Sequence, residues 1–465
     1  MVGGPSRNRP QRPLKYGGDL RMTHQTGEDY GRLVRGDRRH LWHPFTQEKT
    51  APDPVPIVSG RGIELTDAAG NTYLDMISSW WVNLHGHGHP HIAEAIARQA
   101  ARLEQVIFAG FTHPPAVELA AALARLLPGD LDRVFFSDDG STAVEVALKM
   151  AVQFHLNQGR TRTRFLAFEG GYHGDTAGAM SAGRSSGFFG AFDTMMFRVD
   201  TVPFPHTWQG DDEVEDKEEA ALAALDVYLE RFGDDTAAMI LEPLVQGAGG
   251  MRMCRPGFVH RLAARLREAG VLVIFDEVMT GFGRTGSLFA CRSCDVTPDI
   301  ICLSKGLTGG FLPLSVTVAR EVIYQAFCAD DFDKALIHGH SYTANPIGCA
   351  AALASLDLTE SAQTTAQLAA IAGWHEEFME AARAWPGAVR TRVTGTIAAL
   401  DLAAGGAGYH AAAGPCLKAF FMERGFLIRP LGNVVYLMPP YCITREQLAR
   451  AYDVVGEGIV RCRGV

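Results

Sequence analysis

The feature that most constrains this chain is a succession of short, continuous apolar runs that end on polar or glycine residues. They are RVFFS (133–137), RFLAFE (164–169), AAMILEP (237–243), VLVIFDE (271–277), DIICLSK (299–305) and LSVTVA (314–319). A strand with one face in water alternates apolar with polar residues. Several of these runs do not alternate, so both faces are covered, as in a parallel sheet between helix layers. The stretches between them, including TAVEVALKMAVQFHL and PGFVHRLAARLREAG, read as helices. Strands alternating with helices predict an α/β large domain with a mostly parallel central sheet.

Beyond HSYTANPIGCAAALASLDL the chain becomes Ala-rich and helical, then ends in short strands such as TGTIAALDL and VVYLMPP. The expected organisation is a large domain over residues 76–350 and a smaller α/β domain over 351–465. Residues 31–75 complete the smaller domain, and 1–30 form a disordered tail. That tail is basic and rich in Gly and Pro but lacks the apolar core of a secretory signal, and Met22 is an alternative start.

With 47% hydrophobic and 20% charged residues the chain is an ordinary globular protein, and a net charge of −9 argues against nucleic acid as its main partner. No apolar run approaches the roughly 18 residues of a membrane span. The acidic stretch DDEVEDKEE (211–219) reads as a solvated face. Nine cysteines, an odd number in mainly apolar surroundings, fit free thiols in a reducing cytoplasm. Cys291 and Cys294 form a single CxxC with no second pair at finger spacing.

In open α/β sheets functional groups gather at the carboxyl ends of the strands. ICLSKG ends on Lys305, where desolvation lowers an amine pKa and favours a nucleophile. VIFDE ends on Asp276 and Glu277, and a carboxylate such as Asp276 on a neighbouring strand end keeps a pyridine nitrogen protonated, which makes the ring an electron sink. In DDGST, Gly140 permits close backbone approach and Ser141 offers a hydroxyl where a helix N-terminus favours phosphate. In GGYHGDT, Tyr172 sits on a Gly-flanked turn suited to stacking on an aromatic ring. Each has a plainer reading: a solvated strand-end lysine, an aspartate capping a turn, an ordinary helix cap. Their conjunction describes a pyridoxal phosphate site.

The stretch SWWVNLHGHGHPH (79–91) places His85, His87, His89 and His91 at every second position, which suggests a metal centre. Alternate histidines on a Gly- and Pro-containing loop lack separated carboxylate or cysteine partners and an outer shell, so no metal is expected.

From about residue 38 onward the sequence resembles the class III (ω-amino) aminotransferases, which have the pyridoxal-phosphate-dependent transferase fold type I (aspartate-aminotransferase-like). The resemblance rests on NLHGHGHPHIAEAI, GSTAVEVALKMA, GYHGDT, LEPLVQGAGG, FDEVMTGFGRTG, PDIICLSKGLTGG and HGHSYTANPIGCAAA. Within that class LWHPFTQ, SSWW, FLIRPLGNVVYLMPPY and the GAGGM after EPLVQ are similar to the enzymes that aminate 8-amino-7-oxononanoate with adenosylmethionine in biotin synthesis.

The resemblance implies that Lys305 holds the cofactor and shuttles the proton, Asp276 pairs with the ring nitrogen, and Tyr172 stacks near the ring and borders the substrate. It implies that Gly140 and Ser141 hold the phosphate. HGHS (338–341) is expected from the other subunit of a homodimer, with His340 and Ser341 at the cofactor and Gly339 at the substrate; Ser341 stands where the family usually has Thr. Arg429 is expected to bind the substrate carboxylate as a bidentate fork. Trp80 and Trp81 would wall the channel, and Arg284 would lie near the donor or the channel mouth. Phe45 departs from the adenosylmethionine-using pattern, which has Tyr there, and resembles relatives that take the amino group from lysine. The implied reaction is a ping-pong transamination. Alternatives are the same reaction with lysine as donor, another ω-aminotransferase acting on a diamine or β-amino acid with pyruvate or 2-oxoglutarate, and a non-catalytic metal-binding protein.

Overall fold

A computed structural model describes residues 28–403 and 411–463 of the chain. The described chain divides into two compact units, residues 28–58 with 66–71, and residues 59–65 with 72 onward. In the first unit, Glu28–His40 is a helix, so the last three residues of the expected tail are helical; residues 1–27 lie outside the described residues. Arg38 ties that helix to the segment after it, donating to Asp53 Oδ1 (3.0 Å) and to the Ala51 carbonyl (2.8 Å).

The second unit is organised by a seven-stranded sheet. Its strands are β1 (Leu131–Ser137), β2 (Arg164–Phe168), β3 (Asp200–Val202), β4 (Thr236–Leu241), β5 (Leu272–Asp276), β6 (Ile300–Leu303) and β7 (Ser315–Arg320). The spatial order is β1-β7-β6-β5-β4-β2-β3, and only β7 runs antiparallel to its neighbours. All six expected runs are strands. The three-residue edge strand β3 is too short to carry a periodic signal.

The absence of alternation has a direct structural cause. Ile240, Ile274, Ile300 and Cys302 enter one core with Val144, Ala147 and Ala151 of helix α1 (Gly140–Asn157). Their sequence neighbours Met239, Leu241, Val273, Phe275, Ile301 and Leu303 enter the other core with Phe258, Leu262 and Leu266 of helix α2 (Pro256–Glu268). Successive side chains point to opposite faces of a strand, so a strand covered on both faces needs an apolar residue at every position. Each fully buried large aliphatic side chain contributes about 1.5–3 kcal/mol.

Ala388–Thr394, Ile397–Leu402 and Val434–Leu437 form a separate three-stranded antiparallel sheet. The short strand Phe426–Leu427 pairs in parallel with Thr72–Asp75, Leu427 opposite Asp75. The last helix, Arg445–Cys462, opens with a reciprocal Thr444–Gln447 capping box. Its Cys462 is disulfide-bonded to Cys416, with Cα atoms 6.0 Å apart. The expectation of nine free thiols therefore fails at one pair; the other seven are free, Cys291 and Cys294 among them. Among the described residues no helix is long and apolar enough to cross a membrane.

Candidate active site

Strand register brings the first two functional groups together. β5 and β6 are parallel neighbours with Asp276 opposite Cys302, and the Glu277 N–H donates to the Cys302 carbonyl at 3.0 Å. Lys305, three residues beyond Cys302, therefore leaves the sheet at the same end as Asp276. The backbone at Lys305 is left-handed (φ 42°), which costs a non-glycine residue roughly 1–3 kcal/mol and persists only where its surroundings hold it. The preceding Ser304 hydroxyl anchors the turn on the Leu314 carbonyl at 2.9 Å. Lys305 Nζ lies 4.6 Å from the Trp81 ring centroid. Burial pulls its pKa down, and the charges of Asp276 and Glu242 offset part of that pull. A depressed amine pKa makes a nucleophile and proton carrier.

Asp276 is almost fully buried. Its Oδ1 accepts the Val278 N–H (3.1 Å) and its Oδ2 accepts from His173 Nδ1 (2.7 Å). Two further buried acids sit beside it. Glu242 follows β4 and Glu277 follows Asp276, and burial pushes both carboxyls up to about 7. Glu277 is structural: its two oxygens accept the Ala290 and Cys291 N–H groups at 2.6 and 2.7 Å.

Helix α1 supplies an anion site. Asp139 caps it by accepting the Thr142 N–H, and the Thr142 hydroxyl accepts the Asp139 N–H. The Gly140 and Ser141 N–H groups precede the reach of the intrahelical ladder. Gly140 has no room for a side chain, since a Cβ would lie 2.7 Å from a Val278 methyl. The Ser141 hydroxyl pairs with the Thr176 hydroxyl (2.8 Å) and accepts the Thr176 N–H (2.9 Å), which ties the α1 N-terminus to the turn carrying Tyr172. Gly174 (φ 123°) is needed there, because a Cβ would collide with that same Ser141 hydroxyl. Tyr172 donates to Asp175 Oδ1 at 3.1 Å, and burial raises its phenol pKa, so it stays neutral.

The parallel pairing of Thr72–Asp75 with Phe426–Leu427 delivers another pair. Arg429 lies over the Trp80 ring with its guanidinium carbon 4.5 Å from the centroid. Between Asp75 and Trp81 the backbone takes positive φ at Ser78 (52°), Ser79 (61°) and Trp81 (68°). Several contacts hold this strained turn: Asp75 accepts the Ile77 and Ser79 N–H groups, the Ser78 hydroxyl donates to the Met438 carbonyl, and Trp81 Nε1 donates to the Tyr436 hydroxyl. Trp81 is buried and Trp80 is exposed.

Five further expected residues are placed as follows. Arg284 is 1% exposed and donates to the Pro439 and Asn83 carbonyls at 2.9 and 3.0 Å. These two backbone acceptors lie on segments far apart in sequence, and the Arg284 charge contributes to lowering the Lys305 pKa. His340 stands within its own chain 3.0 Å from Asp138, just before the Gly140–Ser141 turn, and Gly339 and Ser341 are exposed beside it. Phe45 belongs to the first unit, where its backbone is left-handed (φ 51°) and its side chain exposed. The alternate histidines have separate partners. His85 meets the Ser355 hydroxyl, His87 meets Asp75, His91 meets Asp357, and His89 precedes the helix Pro90–Ala100. Sequence reasoning missed His173, Glu242 and Thr176, although His173 and Thr176 lie inside the quoted GYHGDT.

A phosphorylated pyridine carbonyl cofactor fits this donor set. A primary amine of lowered pKa, a buried carboxylate, a glycine with no space for a Cβ and a helix N-terminus with unspent N–H groups converge at one end of one sheet. Residues 45–458 match the family described as Aminotransferase class-III. The chain belongs to the class-III aminotransferases. Among its relatives, the adenosylmethionine-8-amino-7-oxononanoate aminotransferase of Synechococcus elongatus is 56% identical over 90% of this chain and 98% of its own. The protein of that name from Geobacter sulfurreducens is 40% identical over 91% and 96%. The crystal structure of the Methanocaldococcus jannaschii adenosylmethionine-8-amino-7-oxononanoate aminotransferase superposes with a TM-score of 0.86, at 34% identity, over 93% of this chain and 99% of that one. A pyridoxamine-phosphate-bound (PMP-bound) aminotransferase from Vibrio fluvialis gives 0.85 at 26% identity, over 92% and 97%. This class-III aminotransferase thus shares the fold of its relatives over nearly all of its length.

Proposed function

We propose that this class-III aminotransferase uses pyridoxal 5′-phosphate to convert 8-amino-7-oxononanoate to 7,8-diaminononanoate in biotin biosynthesis, with S-adenosyl-L-methionine as amino donor. The observation that carries the reading is the β5–β6 register, which sets Asp276 and Lys305 side by side next to the α1 N-terminus. The names of relatives that match over nearly their whole length support the substrate. Bound pyridoxal phosphate supplies an electron sink for the charge that develops at the amine-bearing carbon of the substrate.

The chain's own residues do the rest. Lys305 Nζ would hold the cofactor and would take and return the proton at the amine-bearing carbon of the substrate. Asp276 keeps the ring nitrogen protonated. Gly140 and Ser141 hold the phosphate through N–H groups and a hydroxyl, and Tyr172 flanks the ring as a neutral phenol. Arg429 binds the carboxylate of the oxononanoate as a planar fork. Trp80 and Trp81 cover its aliphatic chain and exclude water. The enzyme works as a cytoplasmic homodimer in which Gly339, His340 and Ser341 of one copy complete the site of the other. Residues 76–350 are the cofactor-binding domain, and 31–75 with 351–465 are the small domain.

Phe45 favours a second reading, in which lysine is the donor. Separate half-reactions decide between them. Adding adenosylmethionine alone to the pyridoxal phosphate-loaded enzyme should remove the visible band of lysine-linked cofactor, and 8-amino-7-oxononanoate should then restore it and yield 7,8-diaminononanoate. Bleaching by lysine alone selects the second reading. Bleaching by neither, with no diaminononanoate formed, refutes the proposed function.

A further inference from the structure

Helix α1 carries Lys149, Gln153 and Asn157 at intervals of four residues, which places them on one face of the helix. All three hold the segment 334–340. Asn157 Nδ2 donates to the Lys334 carbonyl at 2.9 Å, and Gln153 Nε2 donates to the Ala335 carbonyl at 2.9 Å. One turn nearer the α1 N-terminus, Lys149 Nζ lies 3.0 Å from His338 Nδ1. His338 Nε2 meets His340 Nε2 at 3.1 Å. His340 Nδ1 then stands 3.0 Å from Asp138 Oδ2, at ion-pair distance but off the hydrogen-bonding direction. The segment therefore runs back along α1 and delivers Gly339–Ser341 beside the turn that carries Gly140. Its far end is held too. Gln105 Nε2 donates to the Ser341 carbonyl at 3.0 Å, and the Thr343 hydroxyl closes a turn on the His340 N–H and carbonyl.

Protons along this chain of side chains can take one order. An ammonium donates and never accepts, so His338 Nδ1 accepts from Lys149 and carries its own proton on Nε2. That N–H makes His340 Nε2 an acceptor and puts the His340 proton on Nδ1, facing Asp138. A further proton on His338 would set an N–H against the ammonium, and one on His340 would set it against the His338 N–H. The contacts hold together only while both imidazoles are neutral. We propose that Lys149 and His338 are positioning residues that hold Gly339–Ser341 at the α1 N-terminus, and that protonation of the histidine pair releases this segment and loosens the cofactor. The inference rests on the reading, given above, that Gly339–Ser341 completes a pyridoxal phosphate site. The charged and titratable groups facing His338 are Lys149 and Glu145 of α1 and His340 of its own segment, and the Phe135 ring of β1 lies 6.1 Å away. His340 faces His338 and Asp138. Partial burial first, then the Lys149 charge and that of a protonated His340, pull the His338 pKa below the ordinary 6.5, and Glu145 offsets part of that pull. His338 is therefore neutral at neutral pH, and acid supplies the releasing proton.

Three variants separate this hold from plain stability. His338→Asn keeps an acceptor and a donor but takes up no proton, His338→Leu keeps neither, and Lys149→Met removes the cation facing Nδ1. Hydrogen exchange of peptides covering 336–345 in the cofactor-free protein, normalised for the intrinsic pH dependence of amides, reads the segment directly. From about pH 7.5 to about pH 5.5, exchange should quicken about tenfold in the wild type, the equivalent of one lost hydrogen bond, and stay level in H338N. H338L should exchange about tenfold faster than the wild type already at the higher pH, and K149M should move the transition to higher pH. Over the same range, equilibrium dialysis should find pyridoxal phosphate affinity falling about tenfold further in the wild type than in H338N. Wild-type exchange that ignores pH, or an acid response that persists in H338N, overturns the proposal. Exchange that opens in the wild type while its pyridoxal phosphate affinity keeps step with that of H338N overturns the link to the cofactor. A wild type that takes up no pyridoxal phosphate overturns the underlying reading, while the exchange data still support or overturn the hold itself. If H338L does not fold, H338N and K149M decide the question.

Discussion

Two histidine-bearing regions of this molecule look opposite in sequence and behave oppositely in structure. HGHGHPH offers four imidazoles in seven residues, and GYHGDT offers one. In the first, His85 is buried against the Ser355 hydroxyl with His89 and Arg284 nearby; burial first, then repulsion from His89 when protonated and from Arg284, pushes its pKa down to about 3. In the second, His173 is just as buried but faces Asp276, and its pKa moves up. Burial is common to both, so what decides the charge is the neighbour across the hydrogen bond. Density of a ligand-type residue is a poor guide to chemistry, whereas a single imidazole aimed at a carboxylate on a strand end is a good one.

The most severe way to break this comparison is to remove the groups around which the second region is built. Lys305→Ala should reduce turnover on the order of 10⁴-fold or more, the upper range for loss of a positioned proton carrier, and should abolish the visible band. Steady-state kinetics with absorbance scans check this, and retained turnover would show that the strand ends do not carry the chemistry. Asp276→Asn should lower kcat on the order of 10²–10³-fold, as for loss of one preorganised electrostatic contact. Gly140→Ala should then weaken pyridoxal phosphate binding about tenfold, because the added methyl meets Val278 and overpacking costs roughly 1–3 kcal/mol. Equilibrium dialysis of the cofactor measures it.

Much of this was legible in the chain itself. Continuous apolar runs implied strands covered on both faces, and β4, β5 and β6 divide their side chains between two cores for that reason. Lys305, Asp276 and Gly140 were legible because strand ends and glycine turns are local features. His173 and Glu242 were not, because their importance arises from the β5-β4-β2 order, which no local pattern encodes. The surroundings of Arg284 are non-local too: nothing in GFGRTG shows that the fold buries its guanidinium on two carbonyls contributed by residues 83 and 439. The Cys416–Cys462 bond is equally non-local, joining residues 46 apart in sequence.

The comparison sharpens in the pH dependence of stability. His85 takes up its proton at 6.5 when unfolded and only at about 3 when folded. The unfolded chain therefore binds more protons below pH 6.5, and stability falls as pH drops through that window towards 3, by about 2 kcal/mol at pH 5. His173 has the opposite sign. Its folded pKa is raised, so its contribution is fully present below 6.5 and is lost as pH rises through the folded value. Urea midpoints of cofactor-free His85→Gln should lose less on acidification than the wild type. Those of H173N should lose less on alkalinisation. Parallel slopes in all three proteins would show that the two imidazoles do not differ in charge.

The smallest expected effect falls at the outer edge of the histidine loop. His91 pairs with Asp357 at 3.3 Å, and the two side chains are 43% and 72% exposed. Water and salt screen such a pair, and ordering two exposed side chains offsets much of the attraction. His91→Ala should therefore change stability by less than about 0.5 kcal/mol and leave kcat and KM unaltered, as urea titration and steady-state assays would register. A large loss of activity in this variant would mean that the loop acts on the site through its exposed face. The contrast between many idle imidazoles and one working one would then have to be redrawn with His91 on the working side.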